Sequence, residues 1–192
     1  MTIVLPVELP TQPPGPSAQG VPIDADSELE QLHDEHYVRL VRLAVLLLGD
    51  VGRAEEVVQD AFVAVYQLLR RGKDLDNAPA YLRQTVVNRS RSSLRHLKVV
   101  ARHSSPTSSL DLTSPGADHD LLRGVRRQAV IDALQELPRR QREVLALRYY
   151  VDLSEREIAE TLGISPGAVK SHASRGAAAL RTHLSTLLEE NA

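Results

Sequence analysis

From Ser27 onward, nonpolar residues recur at helical steps. Leu29, Leu32, Leu40, Leu43 and Leu47, with His36 taking one place in the series, mark a single stripe at spacings of three and four. Ser27 is the expected N-cap, followed by Glu28 and Glu30 at the positive end of the helix, and Gly49 is the expected stop. A second helix is predicted from about Gly52 to Arg71, burying Val57, Val58, Ala61, Phe62, Val65, Leu68 and Leu69. A short polar loop, Gly72 to Asn77, leads to a third helix. It opens at Pro79, a residue favoured in the first turn, and runs to about Lys98 with Leu82, Val86, Leu94 and Leu97 inward. From Val99 to Asp120 the chain turns to Ser, Pro, Thr and Asp, with little to bury, and reads as an extended linker. Helical patterning resumes near Leu121. Before Ser27, the prolines at positions 6, 10, 13, 14, 16 and 22 and the lack of periodicity predict a disordered tail. The expected organisation is therefore all-α: a tail (1–24), a helical domain (25–98), a flexible linker (99–122) and a second helical domain (123–192). Neither half repeats the other.

The most specific local pattern is SEREIAETLGISPGAVKSHASRGAAAL, Ser154 to Leu180. Ser154 can cap a helix whose Ile158, Ala159 and Leu162 face inward. Gly163 supplies a sharp turn, and Ser165 with Pro166 starts the next helix. Along that helix Val169, Ala173, Gly176, Leu180 and Leu184 share one face. The Ala159, Gly163, Val169 spacing is that of a helix-turn-helix, with a small residue allowing close approach and a valine filling the gap. The opposite face carries Lys170, Ser171, Ser174 and Arg175, side chains able to reach base edges and phosphates in a major groove. A plain helical hairpin with a charged outer face is the alternative.

Composition agrees with helices packed on helices. Hydrophobic residues make up 42% of the chain and aromatics only 3%, so the core rests on Leu, Val, Ile and Ala. There is no cysteine, which excludes disulfides and thiolate metal sites. No run reaches the roughly 20 apolar residues of a membrane span. The start, MTIVLPVELP, lacks a basic segment and is broken by prolines, so a cytoplasmic protein is expected. The net charge of −2 conceals segregation. Asp24 to Glu35 holds acids and no Lys or Arg, whereas Arg83, Arg89, Arg91, Arg95 and Lys98 lie in a stretch without an acid, as do Lys170, Arg175 and Arg181. Two basic segments in an otherwise acidic chain suggest two contacts with a polyanion, against the alternative of two solvated faces.

On the third helix Gln84, Asn88, Arg91 and Arg95 fall at steps of four, three and four and so share a face, where amides and guanidiniums can pair with base edges and phosphates. On the second helix Glu56, Gln59 and Asp60 form a polar patch opposite Phe62, for which simple solvation is the competing account. An enzyme is not expected. The seven histidines are scattered, none stands in a zinc or nucleophile motif, and there is no glycine-rich phosphate loop. No catalytic residue, metal, cofactor or small-molecule substrate is therefore assigned.

Three segments carry a family resemblance: GDVGRAEEVVQDAFVAVYQLL, APAYLRQTVVNRSRSSLRH and LQELPRRQREVLALRYYVDLSEREIAETLGISPGAVKSHASRGAAALR. Together, in this order and spacing, they resemble the bacterial sigma-70 family, most closely the small extracytoplasmic-function subgroup that keeps the second and fourth sigma regions. The resemblance spans roughly Leu29 to Leu184. It implies a transcription initiation factor that binds core RNA polymerase, through its β′ and β subunits, and promoter DNA, and it admits an anti-sigma factor as a further partner. Glu56, Gln59 and Asp60 match the surface that docks on the β′ coiled coil. The loop Gly72 to Asn77 and the following helix match the element that captures a flipped-out base of the −10 element, which gives Arg83, Gln84, Asn88, Arg91 and Arg95 a −10 role. Lys170, Ser171, Ser174 and Arg175 match positions that read the −35 element, and the linker would thread near the RNA exit path. Ser92 stands where many relatives carry an acid, and Ser174 where some carry a large aromatic. The runner-up is a stand-alone LuxR-like regulator, since VKSHASR fits that group too.

Overall fold

The computed structural model describes residues 25–73, 75–101 and 118–190, and every regular element among them is helical. The predicted tail and the middle of the predicted linker lie outside the described residues.

Helix α1 (Ala25–Leu48) begins two residues before the expected cap, so Ser27 lies inside its first turn between Asp26 and Glu28. An acidic run with a serine marks the neighbourhood of a helix start and does not single out its first residue. Gly49 ends α1 in the left-handed region (φ 74°), donating its N–H to Val45 O at 2.8 Å. Helix α2 (Val51–Leu69) is capped by Asp50, whose carboxylate accepts the Arg53 N–H at 2.8 Å and pairs with the Arg53 guanidinium at 3.1 Å. That cap places the start just ahead of the expected Gly52. Helix α3 (Ala78–Ala101) is capped by Asn77, which accepts the Ala80 N–H at 2.9 Å; Pro79 sits in the first turn, where its missing N–H costs nothing. These three helices enclose a core of Leu40, Ala44, Leu48, Val58, Ala61, Phe62, Val65, Leu82 and Val86.

The second unit comprises α4 (Asp118–Gln135), α5 (Arg139–Leu145), α6 (Glu155–Leu162) and α7 (Pro166–Glu190). Helix α3 therefore enters the expected linker at one end and α4 at the other. Helix α5 runs on into a π turn, Ala146–Tyr150, closed by the Val151 N–H on Ala146 O at 3.3 Å. Asp152 then takes a positive φ of 63°, a conformation Asp tolerates better than most residues, and the chain swings into α6.

The two units share a core. Leu43 and Leu47 of α1 and Val87 of α3 cluster with Val144, Leu147, Ile158, Leu162 and Val169. Helix α1 thus carries two apolar faces: Leu40, Ala44 and Leu48 serve the first unit, Leu43 and Leu47 the second. At its C-terminus, where backbone carbonyls lack helical partners, the second unit supplies donors. Gln135 Nε2 donates to Leu46 O at 3.1 Å and Arg142 Nη1 to Leu47 O at 2.7 Å.

Candidate nucleic-acid interface

The helix-turn-helix is built from short-range bonds. Ser154 and Glu157 form a reciprocal capping box: the Glu157 N–H donates to Ser154 Oγ at 3.3 Å, and the Ser154 N–H donates to Glu157 Oε2 at 2.9 Å. The Ser154 hydroxyl also donates to that carboxylate at 2.6 Å. These bonds, side chain first and backbone second, hold the Glu157 carboxyl below its ordinary range. Gly163 makes the turn at φ 63°, Ile164 N–H returns to Ala159 O at 3.1 Å, and Ser165 Oγ caps α7 by accepting the Ala168 N–H at 3.2 Å. Val169 is fully buried between the two helices.

That framework leaves Lys170, Ser171, Ser174 and Arg175 exposed on α7. Arg175 is oriented along its own helix, donating to Ser171 Oγ at 2.8 Å and Ser171 O at 3.3 Å, and Lys170 lies 3.7 Å from Glu155. Both pairs are exposed, so a phosphate or base edge can replace them at small cost.

On α3, Gln84, Asn88 and Arg95 are exposed, while Arg91 is not free. Its guanidinium donates to both carboxylate oxygens of Glu143, at 2.8 and 2.9 Å, and to Asn88 Oδ1 at 3.1 Å. Arg83 departs from the others. It turns into a cavity of about 200 Å³ between the units, lined also by His36, Arg39, Leu43 and Tyr150. Its Nε is buried without a partner among the described residues, and burial lowers the guanidinium's pKa. Of the four side chains in the stripe expected from spacing, Gln84, Asn88 and Arg95 are exposed and Arg91 is held by Glu143 of the second unit, while Arg83, given a −10 role by the resemblance alone, turns into the cavity. On α2, Glu56, Gln59 and Asp60 are all exposed, and Asp60 receives Arg89 of α3 at 2.6 Å.

Sequence reasoning passed over Glu143 and Arg142. Both are buried on α5, and Arg142 donates to Gln135 O at 2.7 Å and Leu137 O at 3.3 Å besides Leu47 O. The available signal was two charges placed directly ahead of the apolar run Val144, Leu145, Ala146, Leu147. Also passed over was an apolar groove on the far side of α7, lined by Leu145, Tyr149, Ala177, Leu180 and Leu184, with Tyr149 70% exposed.

Comparison with known proteins matches residues 32–99 to sigma-70 region 2 and residues 127–180 to sigma-70 region 4. Over 163 residues the chain is 34% identical to the RNA polymerase sigma-E factor of Streptomyces coelicolor, an alignment covering 81% of this chain and 88% of that one. The chain belongs to the sigma-70 family. Within it, the extracytoplasmic-function (ECF) RNA polymerase sigma factor SigL of Mycobacterium tuberculosis is 30% identical over 164 residues, with 83% and 90% of the two chains covered. Among solved structures, the sigma factor RpoE from Bartonella quintana, in complex with the anti-sigma factor NepR, shares the fold at a TM-score of 0.67 and 23% identity, covering 82% of this chain and 97% of that one. CnrH, in complex with the cytosolic domain of CnrY, aligns at a TM-score of 0.60 and 26% identity, covering 87% and 91%. The first unit is thus region 2 of an ECF sigma factor and the second is region 4. The region 2 match corrects the LuxR-like alternative, because it occupies the half in which a stand-alone regulator would carry a receiver or ligand-binding domain.

Proposed function

We propose that this sigma factor joins core RNA polymerase in the cytoplasm and brings it to promoters, reading the −35 element with Lys170, Ser171, Ser174 and Arg175 and the −10 element with Gln84, Asn88, Arg91, Arg95 and Arg83. It acts by binding, with no bond made or broken and no cofactor. The exposed face of α7, fixed by caps at Ser154 and Ser165 and a turn at Gly163, is the observation that carries this reading. A helix so presented fits a major groove, and its exposed Lys and Arg suit phosphate and guanine. Glu56, Gln59 and Asp60 form the docking surface for the β′ subunit, since an exposed acidic patch suits a basic protein partner better than DNA. An anti-sigma factor is a further partner, in keeping with the solved complexes of RpoE and CnrH.

Each region alone offers too small an interface for tight specific binding. The free protein is therefore expected to give weak, unspecific footprints and the holoenzyme sharp ones. Run-off transcription with core polymerase on a genomic library tests this: transcripts should start downstream of one shared two-part motif. Tight specific footprints from the protein alone would count against it.

A further inference from the structure

The cavity of about 200 Å³ on the seam between region 2 and region 4 has a lining that sorts by chemistry. Its apolar part comes from both regions: Leu40 and Leu43 of α1 and Pro79 of α3 on one side, and Tyr150, Val151 and Leu153 from the segment between α5 and α6 on the other. Its cationic part comes from region 2 alone. Arg39 and His36 stand three positions apart on α1, and Arg83 reaches in from α3. No carboxylate of the described residues lines the cavity.

Two guanidiniums are thus held near one another with nothing between them to balance their charge. Neither Arg39 nor Arg83 forms an ion pair among the described residues. Arg83 Nε is buried with no partner among them, a donor withdrawn from water without return. Burial lowers the Arg83 pKa most, Glu157 opposes the shift, and the like charge of Arg39 adds to it. The Glu157 carboxylate is itself committed to the Ser154 cap, through bonds of 2.9 and 2.6 Å. Size limits what could supply the missing charge. Sites for drug-sized molecules run to roughly 300–1,000 Å³, so the occupant of this one is smaller.

We propose that the cavity is a binding site for a small phosphate-bearing ligand, its oxyanion held by Arg83 and Arg39 and its carbon skeleton set against Leu43, Pro79 and Tyr150. A guanidinium offers a planar fork of N–H donors that matches phosphate oxygens in pairs. Charge favours phosphate over carboxylate, because a phosphate monoester carries close to two negative charges at neutral pH and so balances both arginines. Arg83 Nε gains the acceptor it lacks, and Arg39, exposed at the mouth, closes over the ligand. A cavity of this size admits one phosphate group and its substituent, not a continuous nucleic-acid strand. The bound ligand adds its binding free energy to the folded chain and raises its melting temperature. Arg39 has no part in the promoter reading, so the site can be altered without touching a residue assigned to DNA or polymerase.

The test titrates the full chain with inorganic phosphate and with phenyl phosphate, at about pH 7.5, where both are largely dianionic, with chloride holding the ionic strength constant. Backbone amide NMR shifts locate the ligand, and the melting temperature gives an independent reading. Saturable shifts are expected on both walls, at Arg39 and Leu43 and at Tyr150 and Val151, with phenyl phosphate bound more tightly than inorganic phosphate. Equal affinities would make free phosphate the ligand and overturn the place given to a carbon skeleton. Arg39→Gln should weaken binding about tenfold and abolish the gain in melting temperature. Arg42→Gln removes the same charge from an exposed residue of α1 outside the cavity, and should leave binding unchanged. Equal weakening by the two variants would reduce the effect to general charge and overturn the site. So would shifts that do not saturate, or that fall only on Lys170 to Arg175. A single-stranded oligonucleotide of random sequence should not displace phenyl phosphate from Leu43 and Tyr150; displacement would overturn the small ligand in favour of a nucleic-acid backbone.

Discussion

Gly176 offers a test of how α7, and with it the −35 face, is held. A Cβ added there would sit 3.1 Å from Gln141 Cβ, 3.1 Å from Leu145 Cδ1 and 3.3 Å from Leu145 Cγ. Two effects oppose each other in Gly176→Ala. Helix propensity favours alanine by about 1 kcal/mol. Overpacking opposes it by about 1–3 kcal/mol. The neighbours decide the balance. Gln141 Cβ is fixed to its backbone and cannot rotate away, and Leu145 is only 3% exposed, packed with Leu134 and Leu137. Overpacking should win by about 1 kcal/mol, lowering the melting temperature by about 2–4 °C. Ala178→Gly on the exposed side of the same helix calibrates the propensity effect, since it loses about 1 kcal/mol with no packing change. Thermal unfolding followed by circular dichroism reads both variants. A Gly176→Ala protein that melts higher than the unsubstituted one would refute the close-approach argument. The same displacement should weaken −35-dependent transcription more than it weakens binding to core polymerase, because Arg175 moves with α7.

The other predictions concern separate surfaces. Asp60→Arg should abolish binding to core polymerase while lowering stability by no more than about 1 kcal/mol, since the Arg89 pair it breaks is exposed; normal co-purification with the polymerase would sink the docking assignment. Ser154→Ala should cost about 1 kcal/mol through the lost cap. Because Ser154 depresses the Glu157 pKa, that part of the stabilisation is present above the unfolded carboxyl pKa and lost as pH falls through the folded one. The gap in melting temperature between variant and unsubstituted protein should therefore narrow in acid, and a gap independent of pH would speak against the box. Arg175→Ala should lose about 1–3 kcal/mol of promoter affinity if its contact is bidentate to a guanine. That loss should depend on the −35 sequence, whereas Asn88→Ala should weaken capture of the melted −10 strand. Equal losses by both variants on every matched promoter would instead assign both a general phosphate role.

Why some of this was legible and some was not comes down to sequence distance. The helix-turn-helix could be read residue by residue because its determinants are local: Ser154 caps a partner three positions on, Gly163 closes a turn on Ala159, and Val169 completes an apolar face. The α2 core from Val57 to Val65 was equally plain, since one helix face there meets one partner surface. The seam gave a different kind of signal. Arg91 and Glu143 are 52 positions apart, and each on its own looks like an ordinary solvated charge. A periodicity argument assigns charges to the outside by default, so it set Arg91 in an exposed stripe and passed over Glu143 and Arg142. Helix α1 held the better clue. Adjacent apolar pairs, Leu43 with Ala44 and Leu47 with Leu48, make its stripe too wide for a helix that serves a single three-helix core. One member of each pair faces region 2 and the other region 4. A stripe of that width on a helix ending in carbonyls that need donors already called for a second body against it, and region 4 supplies both the apolar surface and the donors.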